Sequence, residues 1–207
     1  MMTTNIPEKM VDYPSSYREA NDHESMHLAN VYRGWELDDN DPRFVYVQKK
    51  LRVERIRRIQ AFVLVLLSKG LSVLLLARTG WGKSLIFQGF RYAVMKDPEW
   101  SQPSRNITVI FVPLSGLGQD QASEINEKAI AFGANEAARR DVAIFFDKTK
   151  VADKYLLEIC NGMYDWVFIS PEKALHPQTV KLLWENVNFR AKMLLFAVDE
   201  GHLVAEW

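Results

Sequence analysis

The sequence predicts a doubly wound α/β domain, a parallel β-sheet with helices on both faces. Two observations predict it. Five short apolar runs, at 71–77, 107–113, 142–147, 165–170 and 192–198, alternate with segments of helical character. The two most chemically loaded stretches, ARTGWGKS (77–84) and DEGH (199–202), each follow one of those runs. In open parallel sheets, ligands gather at the carboxyl ends of the strands. The 207 residues are 48% hydrophobic and 25% charged, which suits one good-sized core with a tail.

The elements follow in order. Residues 1–42 predict a partly disordered acidic N-terminal arm. They hold few aliphatics, the turn signals YPSS and DDNDPR, and nine acids against three bases. Residues 43–60 reverse the charge, with seven bases against Glu54 alone. The expected division is therefore an arm over 1–42 and a folded domain over 43–207. From about Val45, apolar residues fall at helical intervals (Leu51, Ile56, Ile59, Val63, Leu67), and Lys69-Gly70 fits a helix end. LSVLLLA (71–77) reads as a strand buried on both faces. Residues 82–96 read as a helix, and the β-branched ITVIFVP as a strand that Pro113 ends. Residues 118–133 form an amphipathic helix closed by Gly133. VAIFFD (142–147) is a strand, 151–162 a helix ending at Asn161-Gly162, and DWVFIS (165–170) a strand. Residues 171–187 hold one or two helices, and KMLLFAV (192–198) is the last strand.

Composition narrows the function classes. The formal net charge is zero, so no global field points to nucleic acid or a membrane surface. Cys160 is the single cysteine, which leaves no internal disulfide and no Cys-x-x-Cys site. No signal-peptide pattern opens the chain, and the apolar run near Ala61–Leu67 is shorter than the roughly 20 residues a bilayer needs. The simplest expectation is an intracellular protein without a membrane partner, nuclear if the cell is eukaryotic.

ARTGWGKS fits the phosphate-loop pattern G-x-x-x-x-G-K-[ST], except that Ala77 stands at the first glycine. Thr79, Gly80, Trp81 and Gly82 form the turn. The two glycines let the backbone aim its N–H groups at an anion, and the following helix adds its N-terminal dipole. Lys83 supplies a point charge for the β- and γ-phosphates, and Ser84 a hydroxyl for Mg²⁺. Trp81 is unusual in such a loop, and the sequence leaves open whether it is a bulky surface residue or a stacking one.

In a parallel sheet, Asp199 and Glu200 emerge on the same edge as Lys83. Two adjacent acids at the end of a buried strand are costly unless a cation or a water uses them. The division that suits the chemistry gives Asp199 to the Mg²⁺ shell and Glu200 to the attacking water. His202 is placed to couple this edge to whatever packs above it.

Taken together, these stretches resemble the first motor domain of a superfamily 2 DExH-box helicase, closest to the RecQ family of DNA helicases. The resemblance runs from about Leu51 to Trp207. ARTGWGKSLIFQ resembles motif I, FVPLSGLGQDQ motif Ia, ISPEKAL the S/A-P-E-R-L segment, and FAVDEGHLVAEW motif II running into the aromatic-rich loop. It implies a RecA-like P-loop NTPase fold, ATP and Mg²⁺ as cofactors, and single-stranded or forked DNA as partner, unwound 3′→5′. It also implies that Gln60, which lies 23 residues before Lys83, and Arg57 read the adenine; a glutamine amide pairs bidentately with N6 and N7. Nucleic-acid contacts are implied for Leu114, Ser115 and Gln121 in motif Ia, for Ser170 and Lys173, and for Trp207 at the start of the aromatic-rich loop. Gly116, Gln119, Lys173 and Gly201 depart from the usual serine, lysine, arginine and alanine.

Superfamily 2 motors close a second RecA-like domain over the ATP, and that domain supplies an arginine for the transferring phosphoryl group. The expectation is a domain truncated after motif II, a fragment of a RecQ-like ATP-dependent DNA helicase that binds Mg-ATP but cannot unwind alone. Two alternatives stand beside it: a stand-alone, degenerate nucleotide-binding or regulatory module, and a fragment of an RNA-directed DExH helicase.

Overall fold

The computed structural model describes residues 34–77, 80–130, 142–147 and 153–201. It divides into two units, 1–37 and 38–207. The second unit carries the sheet and every element below.

It opens with helix α1, Pro42–Leu51. Asp41 caps the helix by accepting from the Arg43 N–H at 2.9 Å, and Pro42 sits in the first turn, where no N–H is needed. Phe44, Val47 and Leu51 are buried. Helix α2 spans Arg58–Ser68 and α3 spans Ser84–Val94. Gly89 of α3 lets α1 approach closely: a Cβ there would lie 2.9 Å from Val47 Cγ1. The single long helical pattern that the sequence suggests is thus two helices. Arg52, at φ 55°, turns the chain out of α1 in the left-handed region, which no glycine announces.

Four strands make the sheet: β1 Ile107–Phe111, β2 Ala143–Phe146, β3 Trp166–Ile169 and β4 Met193–Val198. Their order is β2-β3-β1-β4, and every pairing is parallel. Parallel neighbours need crossovers, and helices provide them: α4 Ser115–Ile130 follows β1, α5 Asp153–Cys160 follows β2, and a group of short helical turns from Pro171 to Lys192 follows β3.

Strand residues alternate between two cores. Ile107, Val109, Phe146, Val167 and Ile169 pack with Leu156, Ile159, Leu183 and Phe189. Ile110, Phe145, Trp166 and Phe168 pack with Phe87, Ala122 and Ile125 on the opposite face. Both faces are therefore covered, as the apolar runs predict. Arg91 pins this second face to the sheet by pairing with Asp165 at 3.2 Å and donating to the Asn106 carbonyl.

One strand expectation is corrected. Residues 71–77 enter no ladder and are not buried: Leu74 is 80% and Leu76 69% exposed. Between this segment and β4 lies a cavity of about 1030 Å³ lined by both. A strand buried on both faces needs a neighbour at its edge, and among the described residues no strand pairs with this segment.

Candidate functional site

The site assembles at the carboxyl edge of the sheet. The ladder bonds continue past the strand ends: Val112 donates to the Ile169 carbonyl at 3.0 Å and Asp199 to the Phe111 carbonyl at 2.9 Å. These bonds hold the segments after β1, β3 and β4 side by side.

The phosphate-loop stretch enters α3. Gly80 and Gly82 sit at φ 76° and 89°, a backbone that only glycine adopts without strain. Ser84 is the first residue of α3, and Lys83 Nζ donates to the Ala77 carbonyl at 3.0 Å. Thr79 lies outside the described residues, as do His202 and Trp207. Lys83, Asp199 and Glu200 line the same cavity.

Two residues at the start of α2 hold this loop from behind. Gln60 is 3% exposed. Its Oε1 accepts from the Arg57 N–H at 2.8 Å, and its Nε2 donates to the Gly82 carbonyl at 3.0 Å. The Arg57 guanidinium donates to the Trp81 carbonyl at 2.8 Å and lies 5.4 Å from the centroid of the Trp81 ring. A Cβ at Gly82 would come within 2.8 Å of Gln60 Nε2, so a side chain there would be strained by φ and would displace the Gln60 amide from the Gly82 carbonyl. The family resemblance brought Gln60 and Arg57 to notice; their hydrogen bonds to the loop backbone it did not foretell.

Asp199 is 8% exposed. Its Oδ1 accepts from the Glu200 N–H at 3.0 Å and its Oδ2 from Gln121 Nε2 at 3.4 Å. Glu200 itself is held at φ 51°, a left-handed backbone that costs a non-glycine residue roughly 1 kcal/mol. Strain of this kind gathers at functional turns. Gln121 Oε1 is buried without a hydrogen-bond partner among the described residues. Seventy-eight residues separate Gln121 from Asp199, and no sequence signal joins them.

The remaining residues on the edge are arranged as follows. Leu114, exposed, ends the turn after β1, and Ser115 begins α4. Ser170 is buried and caps the helix Pro171–Ala174, its hydroxyl accepting from the Lys173 N–H at 3.4 Å. Lys173 Nζ sits 4.8 Å from the centroid of the Phe146 ring. The Gln121 side chain faces inward to Asp199 rather than outward.

The model of the DEAD/DEAH box helicase family matches residues 57–207. The chain belongs to that family. Its relatives include the ATP-dependent helicase SGS1 of Saccharomyces cerevisiae, 31% identical over 145 residues, which are 67% of this chain and 9% of that protein. The ATP-dependent DNA helicase Q-like 4B of Arabidopsis thaliana is 27% identical over 141 residues, 67% of this chain and 11% of that protein. The chain thus spans about a tenth of the length of these curated relatives. Both belong to the RecQ group, the group the motifs resemble. A DEAD/DEAH helicase domain uses ATP, normally with Mg²⁺. The parallel sheet with helices on both faces accords with a RecA-like α/β fold. Among the described residues no helix is long and apolar enough to cross a membrane.

Proposed function

We propose that residues 43–207 are the first motor domain of a RecQ-like ATP-dependent DNA helicase, preceded by the acidic arm 1–42, and that they grip Mg-ATP and single-stranded DNA. One observation carries this reading: a lysine at the start of a helix, with two glycines before it in left-handed backbone, shares a cavity with two acids that follow a parallel strand. Lys83 and the N–H groups at the start of α3 hold the phosphates. Trp81 and Thr79 complete the loop with Gly80 and Gly82. Gln60 and Arg57 are assigned to the base by the resemblance; both amide atoms of Gln60 are engaged, by the Arg57 N–H and the Gly82 carbonyl, so reading adenine requires Gln60 to exchange those bonds for the base.

The residues suit Mg²⁺ in one way. Among the described residues no three metal-ligating side chains cluster, so those residues offer no cage of their own. Mg²⁺ is commonly held by one or two protein oxygens together with substrate phosphates and water. Ser84 and Asp199 would hold it, and when bound it neutralises charge on the phosphates. Glu200 orients the attacking water and takes its proton. Leu114, Ser115, Ser170 and Lys173 form the nucleic-acid edge, chiefly through backbone contacts at the starts of α4 and of the Pro171–Ala174 helix; Gln121 sits behind it with its side chain on Asp199, and Trp207, outside the described residues, is assigned to nucleic acid by the resemblance alone. The direction 3′→5′ comes from the resemblance. Unwinding needs a second RecA-like domain that closes on this one, so residues 1–207 alone bind without unwinding.

The test is calorimetric titration of Mg-ATP and ADP into the chain. Wild type binds, and Lys83→Ala loses binding. Equal affinity in the two proteins ends the phosphate-loop assignment.

A further inference from the structure

We propose that Gln121 is a positioning residue for Asp199: its side-chain amide, carried on α4, aims the carboxylate that takes Mg²⁺ at the nucleotide site, and it does not touch nucleic acid. The metal role rests on the nucleotide reading above. The pairing itself rests on a hydrogen bond and on burial.

Gln121 lies in the second turn of α4 and is 6% exposed. Its Nε2 donates to Asp199 Oδ2 at 3.4 Å, while its Oε1 is buried with no partner among the described residues. A buried acceptor left without a donor is costly. The amide gains nothing by turning over, because Oε1 would then face Oδ2, oxygen against oxygen. A methionine of similar length would fill the same space and orphan no such atom. Packing alone therefore gives no reason for an amide here, and the carboxylate does.

Gly118 adds a second reason. It sits three residues before Gln121, on the same side of α4. A Cβ there would lie 2.5 Å from the Phe145 ring, so a side chain would push α4 away from the sheet. Glycine within a helix is itself destabilising. Two locally unfavourable residues, a turn apart, thus let α4 carry an amide to the turn after β4.

The setting of Asp199 fits a metal ligand. Its Oδ1 accepts from the Glu200 N–H at 3.0 Å and its Oδ2 from Gln121. An ionised carboxylate has about four acceptor positions, so each oxygen keeps one open. Both donors are neutral. They orient the carboxylate without cancelling the charge that attracts a cation, as a lysine or arginine in their place would. Asp199 lines the cavity together with Lys83, and Gln121 stands behind it. Donors behind a ligating carboxylate fix its direction, and losing one commonly lowers metal affinity about 10- to 100-fold.

The test uses Gln121→Met in the whole chain. ATP is titrated calorimetrically in Mg²⁺ and again in EDTA, so the readout is affinity and not turnover. Wild type gains affinity from Mg²⁺. Gln121→Met loses most of that gain, about tenfold, and keeps the wild-type affinity in EDTA. Equal losses in both buffers, or no loss in either, overturn the proposal, since a packing role moves both together. A fall in single-stranded oligonucleotide affinity with the Mg²⁺ gain intact also overturns it and returns Gln121 to the nucleic-acid edge. The pairing is read separately by NMR on the nucleotide-free chain. The Gln121 side-chain amide protons should shift and exchange faster in Asp199→Ala, and an amide unmoved by that substitution overturns the proposal. Wild type that binds no ATP in either buffer is a different failure: it ends the phosphate-loop reading and takes the metal role with it.

Discussion

Phe168 and Leu74 are both large apolar side chains in runs that the sequence reads as buried strands, yet their surroundings are opposite. Phe168 has a strand on each side, β2 and β1, and a ring contact to Phe87 of α3 at 6.2 Å. It is fully buried. Leu74 borders a cavity and is four-fifths exposed. Hydrophobicity says that a segment needs burial. It does not say which neighbour provides it, and in a sheet that neighbour must also pair the backbone.

Substitutions can break or sharpen this contrast. The largest effect is expected in the closed half: Phe168→Ala leaves a cavity between two paired strands and lowers unfolding free energy by about 3–5 kcal/mol in urea titration. A loss under about 1 kcal/mol there would mean that the closed half is loosely packed. Next comes the loop that borders the open half. Gly82→Ala sets a Cβ against Gln60 Nε2 in left-handed backbone, with an expected loss of about 1–2 kcal/mol. The variant should also weaken nucleotide binding, read by the same titration as Lys83→Ala.

Asp41→Ala removes the cap of α1 and costs about 1 kcal/mol at neutral pH. This effect is pH-dependent. Burial pushes the Asp41 carboxyl up, but hydrogen bonds and charge from Arg43 outweigh it and hold the group below its ordinary range. A lowered folded-state pKa stabilises above the unfolded value and loses that contribution as pH falls through the folded one. The gap between wild type and Asp41→Ala should therefore narrow below about pH 4. A constant gap would remove the ionised carboxylate from the account. The smallest effect is expected at Leu74→Ser, within roughly 0.5 kcal/mol. A loss comparable to that of Phe168→Ala would show the cavity beside Leu74 to be closed in solution.

Much of the fold was legible because local chemistry dictates it. The runs at β1, β2 and β3 are rich in β-branched and aromatic residues, β4 is apolar throughout, and each strand lies within a residue or two of its predicted bounds. The break after α1 was hidden because an arginine, not a glycine, takes the left-handed turn. At the site, loop, lysine and acids could be located because each lies in a short contiguous motif. The bonds from Gln60 to Gly82 and from Gln121 to Asp199 were not legible, since they join residues 22 and 78 positions apart. Segment 71–77 was misplaced for a related reason: an apolar run reveals a need for burial but does not name the strand that would pair with it.

The notch at Gly89 bears on where this domain can be cut. Similarity to the helicase family begins at residue 57, but α1 lies upstream of that point with Val47 seated against the bare glycine backbone. A shortened protein starting at Arg57 would strip Phe44, Val47 and Leu51 from the surface of α3 and lay an apolar groove open to water. Such a protein should aggregate on expression, whereas one starting at Asp38 should stay in solution. The boundary that sequence similarity draws and the one that packing draws differ by a whole helix.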